Sequence, residues 1–228
     1  MTFLQLIRQS QISKRSANAL LSFIKSLLPV PNTAPSTLND LLTNLDIVNY
    51  FEKITVCINC RKILTPSQLV CDVCRGVETK HVAHIFDTDL SSLLKTTIER
   101  LINKIEVYTK IIATGEHVHY DIPFGKQYQQ LLFESRGKNI ISLIIHIDGI
   151  SLVKSTKLKL WLCSASIIEV PAYIRTQRKN IILLSMYIGY TEPNIKLWLN
   201  STLQKIKDLK EKGIALSFAT RHFIGTCI

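Results

Sequence analysis

The sequence predicts an α+β fold in which a helical N-terminal segment precedes a cysteine-rich module and a series of strands. Apolar side chains recur at helical spacing within residues 14–28 and again within residues 38–45. Two Cys-x-x-Cys pairs lie close together between residues 57 and 74. In the run 139–147, β-branched and apolar residues are almost continuous, which is typical of a strand buried on both faces.

The length and composition are those of one or two globular domains. The chain has 228 residues, 46% of them hydrophobic, and no stretch approaches the ~18–20 continuous apolar residues of a membrane span. The apolar patch in Met1–Ser13 is interrupted by Arg8 and Gln9, and no cleavage site follows it. We therefore expect no signal peptide, no membrane partner and a reducing compartment.

The two cysteine pairs are the strongest chemical signal in the chain. Their spacing predicts four thiolates that converge on one structural Zn²⁺, a closed site that stabilises a fold and leaves no position for water. Two disulfides, or four ordinary thiols, are the alternatives, and the expected reducing compartment favours zinc. The predicted ligands are Cys57, Cys60, Cys71 and Cys74.

The formal charge of +11 is concentrated in the C-terminal part. Residues 121–228 contain fifteen basic and seven acidic residues. This excess favours a polyanion such as duplex DNA as a partner, bound weakly and in a salt-dependent way, although general solubility would also explain it. The predicted DNA-binding residues are Lys154, Lys157, Lys159, Arg175, Arg178 and Lys179.

Local patterns divide the chain into four predicted segments. Ser13 is placed to cap the first helix, and Asp87 or Thr88 to cap a longer helix that runs to about Thr109. His117, His119 and Asp121 alternate, so on a strand they would form either a metal-binding face or a wet edge. The predicted segments are a helical 1–50, a zinc-ribbon-like 51–80, a helical connector 81–134 and a strand-rich 135–228.

The order of elements in the last segment is strand, strand, strand, helix, strand. The strands are predicted at 139–147, 158–170, 180–187 and 215–228, and the helix at 193–212. This order is the first half (βββαβ) of an RNase H-like fold, in which an acidic residue near the end of the first strand helps to hold two divalent cations. Asp148 stands at that place, although Asp-Gly between two extended runs is also a common hairpin turn.

A resemblance to a known family supports this interpretation. Residues 147–157, IDGISLVKSTK, resemble the DG-x-P-hydrophobic-hydrophobic-KS-S/T segment of CACTA-type (En/Spm-like) transposases of invertebrate genomes. Residues 187–194, YIGYTEPN, are similar to the W-x-G-x-x-KP-x-M element of that family. Further similarities follow in the family's order at 121–128, 160–161, 168–171, 175–180, 209–214 and both cysteine pairs. The resemblance covers nearly the whole chain.

The resemblance implies a DDE/D-type DNA transposase that uses Mg²⁺ or Mn²⁺ and acts in the nucleus. Only Asp148 matches a catalytic carboxylate of the family; the second acid would come just beyond Ile228 and the third later. Leu162, Ser151 and Phe124 also depart from the family's motifs. We therefore expect a truncated or degenerate transposase-like protein that is inactive alone and that self-associates or pairs with another transposase chain. The alternative is a non-catalytic, zinc-dependent module that binds DNA or protein.

Overall fold

A computed structural model describes residues 10, 12–45, 51–65, 68, 70–74, 79–114, 120–135, 139–153, 155–216 and 222–227, the last of these by backbone alone. Internal contacts divide the chain into two compact units, Met1–Asn49 and Tyr50–Ile228. The cysteine module, the connector and the strand-rich segment that the sequence predicts separately are therefore parts of one unit.

The N-terminal unit contains two capped helices. Helix α1 (Lys14–Leu27) begins after Ser13, whose side-chain oxygen accepts a hydrogen bond from the Ser16 backbone N–H at 3.1 Å, as predicted. Helix α2 (Leu38–Asn44) begins with a capping box in which Thr37 and Asp40 each satisfy a backbone N–H of the other.

The second unit is built on one sheet. Six antiparallel strands lie in the order β2-β1-β3-β6-β5-β4, β8 pairs in parallel with β4, and β7 lies beyond β8. The strands are β1 (Phe51–Cys57), β2 (Ile63–Leu64), β3 (Val82–Thr88), β4 (Ile140–Val153), β5 (Leu158–Ile167), β6 (Ile182–Gly189), β7 (Ile214–Ala215) and β8 (His222–Cys227). The helices are α3 (Leu90–Thr114), α4 (Lys126–Glu134), α5 (Ala172–Arg175) and α6 (Ile195–Lys212).

The connectivity of the C-terminal half is the one that the sequence predicts. Strands β4, β5 and β6 form an antiparallel meander, α6 crosses over, and β8 returns parallel to β4 on its free side. The segment that contains the cysteines is not a separate ribbon, because β3 pairs with β6 and so joins β1 and β2 to the same sheet.

Strand β4 is longer than predicted, and this changes the setting of Asp148. The Asp148-Gly149 pair lies within the strand, so it is not a hairpin turn; the reversal comes between Val153 and Leu158. Gly149 faces the ring of Trp161 so closely that an added Cβ would lie 2.9 Å from it. This close contact between neighbouring strands requires glycine at position 149.

The main core lies between the sheet, α3 and α6. Fully buried side chains include Ile98 of α3, Leu184 and Tyr187 of β6, and Trp198 of α6, whose indole N–H donates to Ser185 at 2.9 Å. Helix α3 is capped by Asp89, which accepts from the Ser92 N–H, rather than by Asp87 or Thr88 as predicted. Both of those side chains are buried and bonded elsewhere: Thr202 donates to Asp87, and Thr88 donates to the Leu184 carbonyl.

Among the described residues, no helix has the combination of length and apolar composition that a membrane crossing requires.

Candidate metal centre and nucleic-acid interface

The sheet edge positions the four cysteines. Cys57 is the last residue of β1, and a tight turn brings Cys60 back towards it: the Arg61 N–H donates to the Cys57 carbonyl, and the Cys57 N–H to the Lys62 carbonyl, both at 2.9 Å. A third bond, from the Ile58 N–H to the His81 carbonyl, ties this turn to the start of β3. Cys71 and Cys74 lie in the loop between β2 and β3.

The four sulfur atoms form a compact set. All Sγ atoms lie within 4.8 Å of one another, with 3.7 Å between Cys57 and Cys74 and 3.5 Å between Cys60 and Cys71. Four thiolates about 2.3 Å from a central zinc stand about 3.8 Å apart, whereas a disulfide joins its sulfurs at about 2.05 Å. The set therefore has the spacing of a tetrahedral metal site and can hold a metal ion, in agreement with the prediction.

The surroundings of the sulfurs favour a bound cation. Cys57 and Cys71 are buried in a small apolar cluster with Leu64 and Val82. Burial opposes ionisation of Cys71, but the backbone N–H groups of Cys74 and Val73 lower its pKa to about 7. The side-chain hydrogen bond with Cys60, together with burial, raises the pKa of Cys74 to about 12. A divalent metal is the group that would allow all four thiols to ionise together.

Sequence reasoning missed one ion pair that joins the two Cys-x-x-Cys segments. Lys62 donates to both carboxylate oxygens of Asp72, at 2.9 and 2.8 Å, and so joins the residue after the first turn to the second Cys-x-x-Cys. Both side chains are about half exposed, so the pair aligns the loop more than it stabilises the fold. The available signal was a lysine two residues after the first motif and an aspartate inside the second.

Asp148 lies on the exposed part of strand β4. Its side chain is exposed, accepts a hydrogen bond from the Gly149 N–H at 2.8 Å, and lies opposite Leu162 on β5. The neighbours on the same face of β4 are His146 and Ile150. Within the described part of the chain, the four cysteines are the one group of three or more potential metal ligands, so Asp148 belongs to no such group there.

The six predicted DNA-binding residues differ in their exposure. Lys157, Arg178 and Lys179 are exposed. Lys159 is partly exposed and lies 3.3 Å from the Glu192 carboxylate. Lys154, together with His117 and His119 of the predicted metal-binding face, lies outside the described residues.

Arg175 does not belong to a DNA-binding surface, which corrects its assignment. The side chain is 6% exposed, and its guanidinium donates to the backbone carbonyls of Ile167, Ile168 and Val170. Two further bonds, of 2.9 and 2.8 Å, reach the two carboxylate oxygens of Asp121. A guanidinium engaged in this way has no free pair of N–H groups with which to bind a phosphate.

Asp121 is likewise a structural acid. Besides Arg175, it accepts from the Tyr108 hydroxyl at 2.6 Å and from the Ile122 N–H at 2.8 Å. Burial disfavours its charged form, but the bonds from Arg175 and Tyr108 hold the pKa of Asp121 below its usual value. With Asp121 occupied in this way, the described part of the His-x-His-x-Asp pattern shows no metal site.

Nearby, Glu169 is 1% exposed and accepts from the Tyr128 hydroxyl at 2.6 Å and from the Ser142 N–H at 2.9 Å. Here burial prevails, and it raises the pKa of Glu169. Sequence reasoning identified neither acid as part of a buried network.

Comparison with known proteins places the chain in a family without assigning it an activity. No curated protein matches the sequence. Residues 43–224, about four fifths of the chain, match the family described as "Protein of unknown function (DUF1258)". This match spans the whole cysteine centre and the sheet except for the end of β8, and the chain therefore belongs to the DUF1258 family.

Proposed function

We propose that this chain is a transposase-derived DNA-binding protein whose fold is stabilised by a structural Zn²⁺ and which does not cleave DNA alone. The observation that carries the proposal is the set of four cysteine sulfurs at tetrahedral spacing, built into the edge of the sheet that also carries Asp148. All four ligands come from this chain, so the site would be saturated and would hold structure rather than activate water.

Zinc is the metal that this donor set favours. Four thiolates in a tetrahedron suit Zn²⁺, whereas Mg²⁺ and Ca²⁺ prefer oxygen ligands. Among the described residues of the loop between β2 and β3, the buried apolar side chain is that of Cys71, which belongs to the small cluster around Cys57. Metal binding would therefore supply much of the stability of this edge of the sheet.

The transposase origin rests on connectivity and on one acid. The meander β4-β5-β6, the crossover helix α6 and the parallel strand β8 agree with the βββαβ half of an RNase H-like fold, and Asp148 lies on the strand that carries an acid in that fold. Two-metal phosphodiester chemistry needs several carboxylates around the ions. Among the described residues Asp148 belongs to no group of three or more potential metal ligands, so cleavage would need acids supplied from elsewhere, such as a partner chain.

DNA binding is proposed from charge. The exposed Lys157, Arg178 and Lys179 lie in the part of the chain with fifteen basic and seven acidic residues. We propose that they contact the phosphates of duplex DNA weakly and without sequence preference, with the nucleus as the place of action. Such binding would weaken steeply as salt rises, because each phosphate contact releases counterions.

Two measurements test the proposal. Native mass spectrometry of the purified chain is expected to show one zinc per chain, which Cys71→Ser abolishes and Cys163→Ser, a buried thiol outside the set, retains. Titration of a duplex at two salt concentrations is expected to show tighter binding at low salt. The double variant Arg178→Ala/Lys179→Ala should bind more weakly and with a smaller salt slope. A metal-free native chain, or duplex binding indifferent to salt, would contradict the respective half of the proposal.

An alternative function is that of a zinc-dependent module that binds protein rather than DNA. A native chain that holds zinc but binds no duplex at low salt would favour this alternative.

A further inference from the structure

One cavity lined by three tyrosines lies away from the cysteine centre and from Asp148. It has a volume of about 560 Å³, a size typical of small-ligand sites, and lies between α3 and the segment that leads into α5. The lining residues on which the argument depends are Asn103, Lys104, Tyr108, Tyr120, Asp121 and Tyr173.

Three tyrosines give this cavity its character. Tyr108 forms the floor: it is 8% exposed, its hydroxyl is bonded to Asp121, and its ring meets Phe124 edge to face at 6.3 Å between centroids. Tyr120 is fully exposed and Tyr173 is 72% exposed. Two large aromatic side chains left in solvent beside a fixed third ring form an apolar surface that the fold itself does not cover.

The buried ion pair holds the two exposed tyrosines beside one cavity. Tyr120 is the residue before Asp121, and Tyr173 lies two residues before Arg175. The two-point bond between Asp121 and Arg175 therefore fixes the spacing of the segments that carry Tyr120 and Tyr173. Arg175 thus acts as a positioning residue and does not itself contact a ligand.

The charges of the cavity select the kind of ligand. Asp121 is its one acidic lining residue, and both carboxylate oxygens already accept two hydrogen bonds each, from Ile122, Tyr108 and Arg175. A cationic ligand would therefore meet no unpaired carboxylate among the lining residues. The exposed Lys104 leaves a positive charge at the rim, and Asn103 adds a hydrogen-bonding amide.

We infer that this cavity binds an unpaired nucleotide of a single strand, with its base stacked on Tyr173 and its phosphate near Lys104. Every base presents a π-face, so stacking on aromatic side chains beside a cation binds single strands with little sequence preference. The inference rests on the proposed DNA binding and extends it: duplex phosphates would meet the exposed side chains of Lys157, Arg178 and Lys179, and unpaired bases the tyrosine cavity.

The test compares variants of the full zinc-loaded chain on two probes, a short fluorescent oligothymidylate and a duplex of equal length. Tyr173→Ala is expected to weaken oligothymidylate binding about tenfold, the effect of losing one base stack. Duplex binding should change less than twofold. Tyr173→Phe, which keeps the ring, should bind like the native chain. Phe133→Ala removes another exposed aromatic side chain outside this cavity and serves as the matched control.

Each outcome has a distinct meaning. Equal binding of oligothymidylate by the native chain and Tyr173→Ala overturns the inference, as does a native chain that binds the duplex alone. A native chain that binds oligothymidylate through Tyr173 but no duplex supports the inference and overturns the proposed duplex binding. Since Tyr173 is mostly exposed, an unchanged thermal midpoint is expected to show that its variants fold.

Discussion

Asp121 and Arg175, 54 positions apart in the chain, form a two-point ion pair with N–O distances of 2.9 and 2.8 Å, and their side chains are 13% and 7% exposed. Nε and Nη2 of Arg175 also donate to the backbone carbonyls of Ile167, Ile168 and Val170, and these bonds hold the loop that follows β5. A buried ion pair of this kind adds little stability compared with two apolar side chains in its place. Removal of one partner alone is strongly destabilising, because the other charge stays buried without a partner.

Replacement of Arg175 by methionine is expected to lower the free energy of unfolding by about 3–5 kcal/mol, because Asp121 would remain buried without its partner. Arg175→Lys should recover only part of this, since an ammonium cannot bind both carboxylate oxygens and three carbonyls at once. Urea unfolding followed by circular dichroism measures both. The double variant Asp121→Asn/Arg175→Met should be more stable than Arg175→Met, and equal stability would contradict the coupling.

The same pair predicts a loss of stability in acid. Because the folded pKa of Asp121 lies below its unfolded value, the carboxylate contributes stability above the unfolded pKa of about 3.9 and loses it as the pH falls through the folded pKa. The thermal midpoint of the native chain should therefore fall from pH 5 towards pH 3 more steeply than that of Asp121→Asn. Parallel curves would show that the pKa of Asp121 is the same in the folded and unfolded chain.

Glu169 predicts the opposite dependence. Its folded pKa is raised by burial, so the folded state holds this proton more tightly than the unfolded chain does, and stability is lost as the pH rises above the ordinary value of about 4.3. Glu169→Gln resembles the protonated acid: its amide can donate to Tyr128 and its carbonyl can accept from Ser142. We expect the thermal midpoint of Glu169→Gln to change less than that of the native chain between pH 5 and pH 8. Glu134→Gln, an exposed acid, is the matched control.

Arg61, the residue after Cys60, has a left-handed backbone conformation with φ of 62°. For a residue with a Cβ this conformation costs roughly 1–2 kcal/mol, whereas glycine adopts it freely but loses more entropy on folding. We expect Arg61→Gly to stabilise the zinc-loaded chain by about 0.5–1 kcal/mol and Arg61→Val to destabilise it. Lys157→Gly, at φ of 59° outside the metal centre, should give a similar gain. Thermal unfolding of the three variants would decide, and a loss of stability in Arg61→Gly would contradict the argument.

Local patterns predicted the elements that depend on local physics. Helix α1 and its Ser13 cap follow from apolar spacing and a side-chain oxygen at the right place, and the four cysteines follow from the geometry of Cys-x-x-Cys turns. The order of meander, helix and parallel strand also followed from the lengths of the apolar runs. These features depend on residues that are close together in the sequence, so they can be predicted without knowing which distant residues they contact.

Features that depend on distant partners were not predictable in this way. In the sequence, Arg175 is one more basic residue of a basic segment and cannot be told from a DNA-binding arginine. Only the fold brings it to Asp121. Asp148 looked like the end of a strand because Asp-Gly usually turns, but Trp161 packs on Gly149 and the pairing with β5 continues to Val153. Strand β3 was missed because α3 follows it after one residue, and its pairing with β6 is set by the sheet.

The chain alone is expected to leave supercoiled plasmid intact in both Mg²⁺ and Mn²⁺. Asp148 is exposed on β4 with Leu162 opposite, and among the described residues it belongs to no group of three or more potential metal ligands that could hold a pair of ions. A cation there would meet one charged ligand and otherwise water, and in-line cleavage needs both the attacking and the leaving oxygen stabilised. Agarose gels of plasmid incubated with the native chain and with Asp148→Ala should look the same. Nicking by the native chain that Asp148→Ala abolishes would show that other acids complete the site. Glu192, an exposed acid just before α6, and Asp208, a half-buried acid within α6, would be the next residues to replace.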